Sequence, residues 1–348
     1  MKIHIAEALG NVVRRRRTPA RALVLLLLAS ILVPADAAQA TGNGGLLATV
    51  CYVPSAAPRH EQTVTVPALA VGTLLRASLS YSGPCASYGE SASLGNGTLT
   101  AYSQVEDSVP KSIGMVFTSS TLDGLPYDPP SDGMWCFDRN ADGVVDQHTE
   151  CSGGYEHALQ LSAAFKSKVD TPFTYVLANW NPMGHIPMGV WNVPHFDVHF
   201  YTNDNAERLA IRPGPCPVLV NCGDYEIGKI QPASKYVAPD YSDVDAVEPA
   251  MGNHLVDQTS PEFHGNPFTH TFLYGIWGGH ITFYEPMVTH AWYSGLRYGT
   301  NTDACFPMKL PQAWEHAGWY PTRYCLRYRA NRDELTTSLE DFVYRQAG

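Results

Sequence analysis

The sequence predicts a mainly β fold, a sandwich or barrel of the cupin or jelly-roll kind, with short helices and a calcium-loop insertion. Three observations predict it. Short runs of alternating residues recur along the chain, turn signals such as Asp123-Gly124 and Trp277-Gly278-Gly279 separate them, and no long stretch keeps a helical period. The clearest run is HFDVHFY, His195 to Tyr201, in which His195, Asp197, His199 and Tyr201 fall on one face and Phe196, Val198 and Phe200 on the other. A helix would stack His195 over His199, but the alternating Phe, Val, Phe favours a strand.

Residues 1–40 read as a secretory signal peptide of bacterial style. Arg14 to Arg17 and Arg21 form the basic region, Ala22 to Val33 the apolar region, and Ala38-Gln39-Ala40 the cleavage site. The mature protein is therefore expected in the periplasm or outside the cell, without a membrane span, since no later run approaches the ~20 apolar residues a span needs. The segment carries six of the 23 Lys and Arg and two of the 33 Asp and Glu, which leaves 17 against 31, a mature charge of −14. Such a surface repels phosphate backbones and argues against nucleic-acid binding. Eight cysteines in an exported chain read as disulfides. Proximity favours Cys51 with Cys85, Cys136 with Cys151, Cys216 with Cys222 and Cys305 with Cys325, out of the 105 pairings that eight cysteines allow.

Residues 41–94, rich in Gly, Ala, Ser and Pro, read as an N-terminal extension, and residues 95–348 as a β-rich domain with an insertion at 128–152. GTLTAYSQV, SIGMVFTSSTL and FTYVLANW (173–180) are expected strands. Phe268 to Val288 and Tyr320 to Arg345 each read as a pair of strands around a short turn.

Histidines cluster in the middle of the chain, and imidazole suits zinc, iron, copper or nickel. His195, Asp197 and His199 share a strand face, and His254 sits in a compact MGNH turn. Residues i and i+2 on a strand lie about 6.7 Å apart and can share an ion, whereas i and i+4 lie about 13 Å apart. His195 and His199 would thus share one only through a bulge or bend. The tidier sets are His195 with Asp197, or Asp197 with His199, completed by His254 and a residue of the following hairpin. His270, which alternates with Phe268 and Phe272, is a further candidate ligand. Glu285 shares a face with Ile281 and Phe283 by alternation, so it is a carboxylate among apolar groups and a candidate general base or ligand.

A second metal signal is independent. Asp138, Asn140, Asp142 and Asp146 stand at positions 1, 3, 5 and 9 of a calcium loop, with Gly143 at 6 and the Val144 carbonyl at 7. Position 12 is Thr149, and Glu150 comes one residue late. Cys136 and Cys151 flank the loop and are placed to staple it.

The motifs GHIPMGVWNVPHFDVHFY, MGNH, FTHTFLYGIWGGHITFYEPMV and YPTRYCLRY resemble an uncharacterised family of exported bacterial proteins, a TTHB-like domain of unknown function, over about Gly95 to Arg345. The resemblance implies a mainly β fold and matches His185, His195, Asp197, His199, His254, His270 and Glu285. No activity comes with it, and the insertion and the extension lie outside it. GxSxG, P-loop and HExxH motifs are absent from the sequence.

The leading expectation is a metalloprotein with a transition metal, zinc or iron foremost, and calcium as cofactors, working as a hydrolase or lyase. The alternative is a non-catalytic envelope protein that binds a small-molecule or carbohydrate ligand or assembles as a homo-oligomer. In either case Trp180, Trp191, Tyr274, Trp277 and Trp292 are candidates to line its pocket.

Overall fold

A computed structural model describes residues 46–128, 130–131, 134–152 and 154–348; the expected signal peptide lies outside these. The strands are, in chain order, β1 (Leu47–Tyr52), β2 (Gln62–Pro67), β3 (Tyr81–Ser82), β4 (Ala86–Leu94), β5 (Gly97–Glu106) and β6 (Val109–Thr118). They continue with β7 (Tyr155–Gln160), β8 (Tyr175–Asn181), β9 (His195–Tyr201), β10 (Pro213–Cys216), β11 (Tyr241–Glu248), β12 (Gly252–Asp257), β13 (His270–Trp277) and β14 (His280–Thr289). Last come β15 (Ala304–Pro307), β16 (Gly318–Tyr320), β17 (Arg323–Arg329), β18 (Glu334–Glu340) and β19 (Val343–Arg345).

Two large antiparallel sheets form the body. One has seven strands in the order β11-β12-β13-β14-β9-β8-β7, and the other six, β15-β17-β18-β6-β5-β4. The first is two meanders, β7 to β9 and β11 to β14, joined where β14 pairs with β9. One continuous core lies between the sheets, with Leu99, Met115, Phe117 and Leu335 from the six-stranded sheet meeting Val176, Phe196, Val198 and Phe200 from the seven-stranded one. This is the layered solution for two sheets that each bury a face. Helices are short, and the longest among the described residues, Ala68–Ala77, spans ten residues. No described helix is long and apolar enough to cross a membrane.

The smaller sheet β2-β1-β3 accounts for the beginning of the extension, whereas β4, still inside residues 41–94, pairs with β5 as an edge of the main body. The expected hairpins form around Trp277 and around Ala330. Within β13–β14 a register shift after Gly275 pairs Gly275 with Phe283 but Ile276 with Ile281. Simple alternation put Ile281 on the face of Glu285. The bulge instead turns Ile281 toward the main core and leaves Glu285 and Phe283 on the outer face.

All four disulfides pair nearest neighbours in the sequence. Cys305–Cys325 links partners directly opposite each other on β15 and β17 and closes a sequence separation of 20. Replacing both with serine is expected to lower unfolding stability by about 3 kcal/mol, because the cross-link restricts the unfolded chain. Denaturant midpoints of the two proteins check this, and equal midpoints would mean the bond does no such work.

Candidate metal centre

β9 is buried on both faces. Phe196, Val198 and Phe200 enter the sandwich core, while His195, Asp197, His199 and Tyr201 look outward yet are at most 2% exposed. The cover over this outer face comes from chain segments that pack on the sheet. Tyr175, Leu177, Tyr201 and Phe283 make one small apolar cluster with Met251, and Trp191 makes another with Val256, Phe268, Leu273 and Met287. Between these clusters runs a polar band, and a cleft of ≈ 260 Å³ opens onto it.

The band contains two groups of three, each with candidate ligand atoms within 4.8 Å of one another. In the first, His185 Nε2 lies 3.5 Å from Asp197 Oδ2, and His195 Nε2 lies 3.1 Å from Asp197 Oδ1. In the second, His199 Nε2 is 3.4 Å from Glu285 Oε1, and His254 Nε2 is 3.7 Å from Glu285 Oε2. The strand pairing explains both. Asn179 and Asn181 of β8 stand opposite Asp197 and His195, and on the other side β14 pairs Phe283 with Tyr201 and Met287 with Asp197, which brings Glu285 alongside His199. His254 comes from β12, opposite Gly275 of β13.

Gly275 is required here. A Cβ at this position would sit 1.9 Å from the Phe283 ring, so only glycine lets that ring lie over the strand. From there Phe283 meets His199 and His254 edge-on, with centroids 4.9 and 5.1 Å away.

Three of the four imidazoles are fixed through Nδ1. Nδ1 of His185, His195 and His254 contacts the carbonyl oxygens of Ile186, Val193 and Ala246 at 2.7, 2.7 and 3.0 Å. A carbonyl only accepts, so each Nδ1 donates, and Nε2 is the ring nitrogen that faces the carboxylates. Asn181 donates to Asp197 Oδ2 at 2.6 Å, a hydrogen bond that orients the carboxylate. Several buried atoms nevertheless lack a hydrogen-bond partner: His195 Nε2, Asp197 Oδ1, both ring nitrogens of His199, and Glu285 Oε2. Buried polar atoms are seldom left so.

The two groups differ in charge. Burial disfavours the charged forms of Asp197 and His185, but their mutual attraction and the nearby His195 outweigh it, holding Asp197 well below the usual carboxylate range and pushing His185 up to about 9. In the second group burial prevails. It pushes His199 down to about 3 and, with help from the charges of Asp197 and Glu248, raises Glu285 well above a normal glutamate. His185 and Asp197 thus form an ion pair, whereas His199 and Glu285 face each other uncharged.

The expected ligands are thus brought together, but not as one set. His195 and His199 go to different groups, as the strand repeat requires. His185, matched through the resemblance, belongs with His195 and Asp197. Glu285, considered as a base, stands among the ligand atoms. His270 lies on the opposite face of the sheet, where its Nδ1 is 2.8 Å from the Tyr324 hydroxyl and burial pushes its pKa down to about 4, so it joins neither group. Of the aromatic residues expected at a pocket, Trp191 lines the cleft, while Trp180, Tyr274 and Trp292 pack in or against the sandwich core and Trp277 in a separate small cluster. Sequence reasoning missed Asn181 and Glu248; the former was within reach, because Asn179 and Asn181 keep the period of two in FTYVLANWN.

In the insertion, Asp138 accepts from the amides of Asp142 and Gly143, Asn140 from Asp142, and Asp142 from Val144. Glu150, one position late for a closing ligand, is buried and accepts from the amides of Arg139, Asn140 and Asp146. It braces the loop from inside. The chain matches no family model, no curated protein and no solved structure.

Proposed function

We propose that the chain is an exported metalloprotein in which His199, His254 and Glu285 hold a transition metal, zinc or iron first, and that it acts as a metal-dependent hydrolase or lyase on a small molecule in the cleft. Export is supported by four disulfides, the cysteine usage of an oxidising compartment. The metal reading is carried by one observation, the set of buried nitrogens and oxygens that face each other without hydrogen-bond partners. Two histidines and a carboxylate form a donor set used for both zinc and iron. When bound, such an ion activates water or polarises a carbonyl.

The chain's own residues supply the rest. Trp191, Val256, Phe263 and Leu273 give the cleft an apolar wall. Glu248 and Asp245 line the same cleft outside both groups; with Glu285 among the ligands, Glu248, the buried one of the two, is our candidate to accept a proton. That apolar wall also supports the second reading, a binding protein without catalysis.

Elemental analysis of tag-free protein tests the metal. His254→Ala is expected to cut occupancy of this group by more than tenfold, while His264→Ala, whose ring instead meets the Gln258 carbonyl, leaves it unchanged. A metal content unchanged by His254→Ala would remove this ligand set, and a metal-free wild type would leave the binding-protein reading.

For the insertion we propose a structural calcium ion on Asp138, Asn140, Asp142, Val144 and Asp146. Calcium at a hundredfold excess over its dissociation constant is expected to stabilise the chelated protein by about 2.7 kcal/mol. Asp142→Ala should abolish the shift, and an unchanged thermal midpoint in millimolar calcium would count against the loop.

A further inference from the structure

The group formed by His185, His195 and Asp197 has the properties that carried the first metal reading, on separate residues. All of its ligand atoms lie within 4.8 Å of one another. His195 is fully buried and Asp197 nearly so, and His195 Nε2 and Asp197 Oδ1 have no hydrogen-bond partner. Both histidines present Nε2, because their Nδ1 atoms are committed to the carbonyls of Ile186 and Val193. A single ion cannot serve both groups. Ligand atoms sit about 2.0–2.2 Å from a zinc ion, whereas His195 and His199, one from each group, are four residues apart on β9, about 13 Å at the backbone.

We infer that His185, His195 and Asp197 form a second divalent transition-metal site, so that the cleft presents two ions side by side. The inference extends the reading given for His199, His254 and Glu285 and rests on it for the chemistry of the cleft. The two sites are built differently. His199, His254 and Glu285 all lie on strands and are buried. His185 sits between β8 and β9 on a loop, and its side chain is 25% exposed. Gly184 aims this loop: it has φ +68°, and a Cβ there would lie 2.2 Å from the Trp191 carbonyl oxygen. A ligand on a loop loses more freedom when it is fixed than one on a strand, so the second ion binds more weakly.

Titration of chelated full-length mature protein with zinc, followed by calorimetry, tests this, with cobalt absorption as the spectroscopic counterpart. Wild type is expected to take two equivalents, the weaker at least tenfold weaker than the tighter. His185→Ala should abolish the weaker and keep the tighter, and His254→Ala should do the reverse. Asp197→Asn is a second variant for the weaker site, with circular dichroism to confirm folding. One equivalent in wild type, kept by His185→Ala and lost in His254→Ala, would overturn the second site and leave the first standing. Two equivalents that survive both His185→Ala and Asp197→Asn would overturn the assignment of residues. Absence of any zinc binding would overturn both readings.

Discussion

Replacing Glu285 with glutamine is expected to stabilise the metal-free protein at neutral and alkaline pH and to destabilise the metal-loaded one. Burial, reinforced by Asp197 and Glu248, raises the folded-state pKa of Glu285 well above its ordinary value. The folded protein therefore keeps a proton that the unfolded chain gives up. Stability from this group is fully present below about pH 4.3, the ordinary glutamate pKa, and is lost as pH rises through the folded value, at about 1.4 kcal/mol per pH unit. Glutamine keeps the shape and does not titrate. With chelator present, the advantage of Glu285→Gln over wild type should grow from pH 5 to pH 8. With metal present the order should invert, because the variant has lost its anionic ligand. Denaturant midpoints at both pH values, with and without metal, read both arms. A variant less stable than wild type in chelator at pH 8 would show that Glu285 is not held neutral.

The affinity of the same group for metal is expected to fall about tenfold for each pH unit of acidification near neutrality. An ion binding to His199, His254 and Glu285 must displace the proton that burial keeps on Glu285. His199 adds nothing to this slope above about pH 3, because burial already keeps it neutral there. Competition with a chromophoric chelator at pH 6, 7 and 8 measures the slope, and the His185→Ala background isolates this group. Affinity that stays level over the range would mean that no proton is exchanged at Glu285.

The sequence made the strand face readable and the grouping unreadable, for physical reasons. HFDVHFY showed its period because each side of a strand meets one environment, so Phe196, Val198 and Phe200 separate from His195, Asp197 and His199. The disulfides were legible because all four join near neighbours in the sequence. The division into two groups was not, because it depends on which strands lie beside β9, and pairing with β14 across more than eighty residues leaves no local mark. His270 shows the same limit: its alternation with Phe268 and Phe272 was visible, but which face of the sheet held the polar band was not. Glu285 was placed with Ile281 because the bulge after Gly275 has no signature beyond the glycine itself.

Gly275 and Phe283 together set the spacing of His199 and His254, the two imidazoles of the proposed ligand set. The phenyl ring lies in space that any side chain at 275 would occupy, and its edges touch the two imidazoles proposed to converge on one ion. The ring is a spacer of fixed width. A methyl group at 275 would push it toward His199 and His254 and alter the separation of their nitrogens without changing a single donor atom. This position can therefore tune which ion fits by geometry alone, so metal preference could drift among proteins that keep the same ligands.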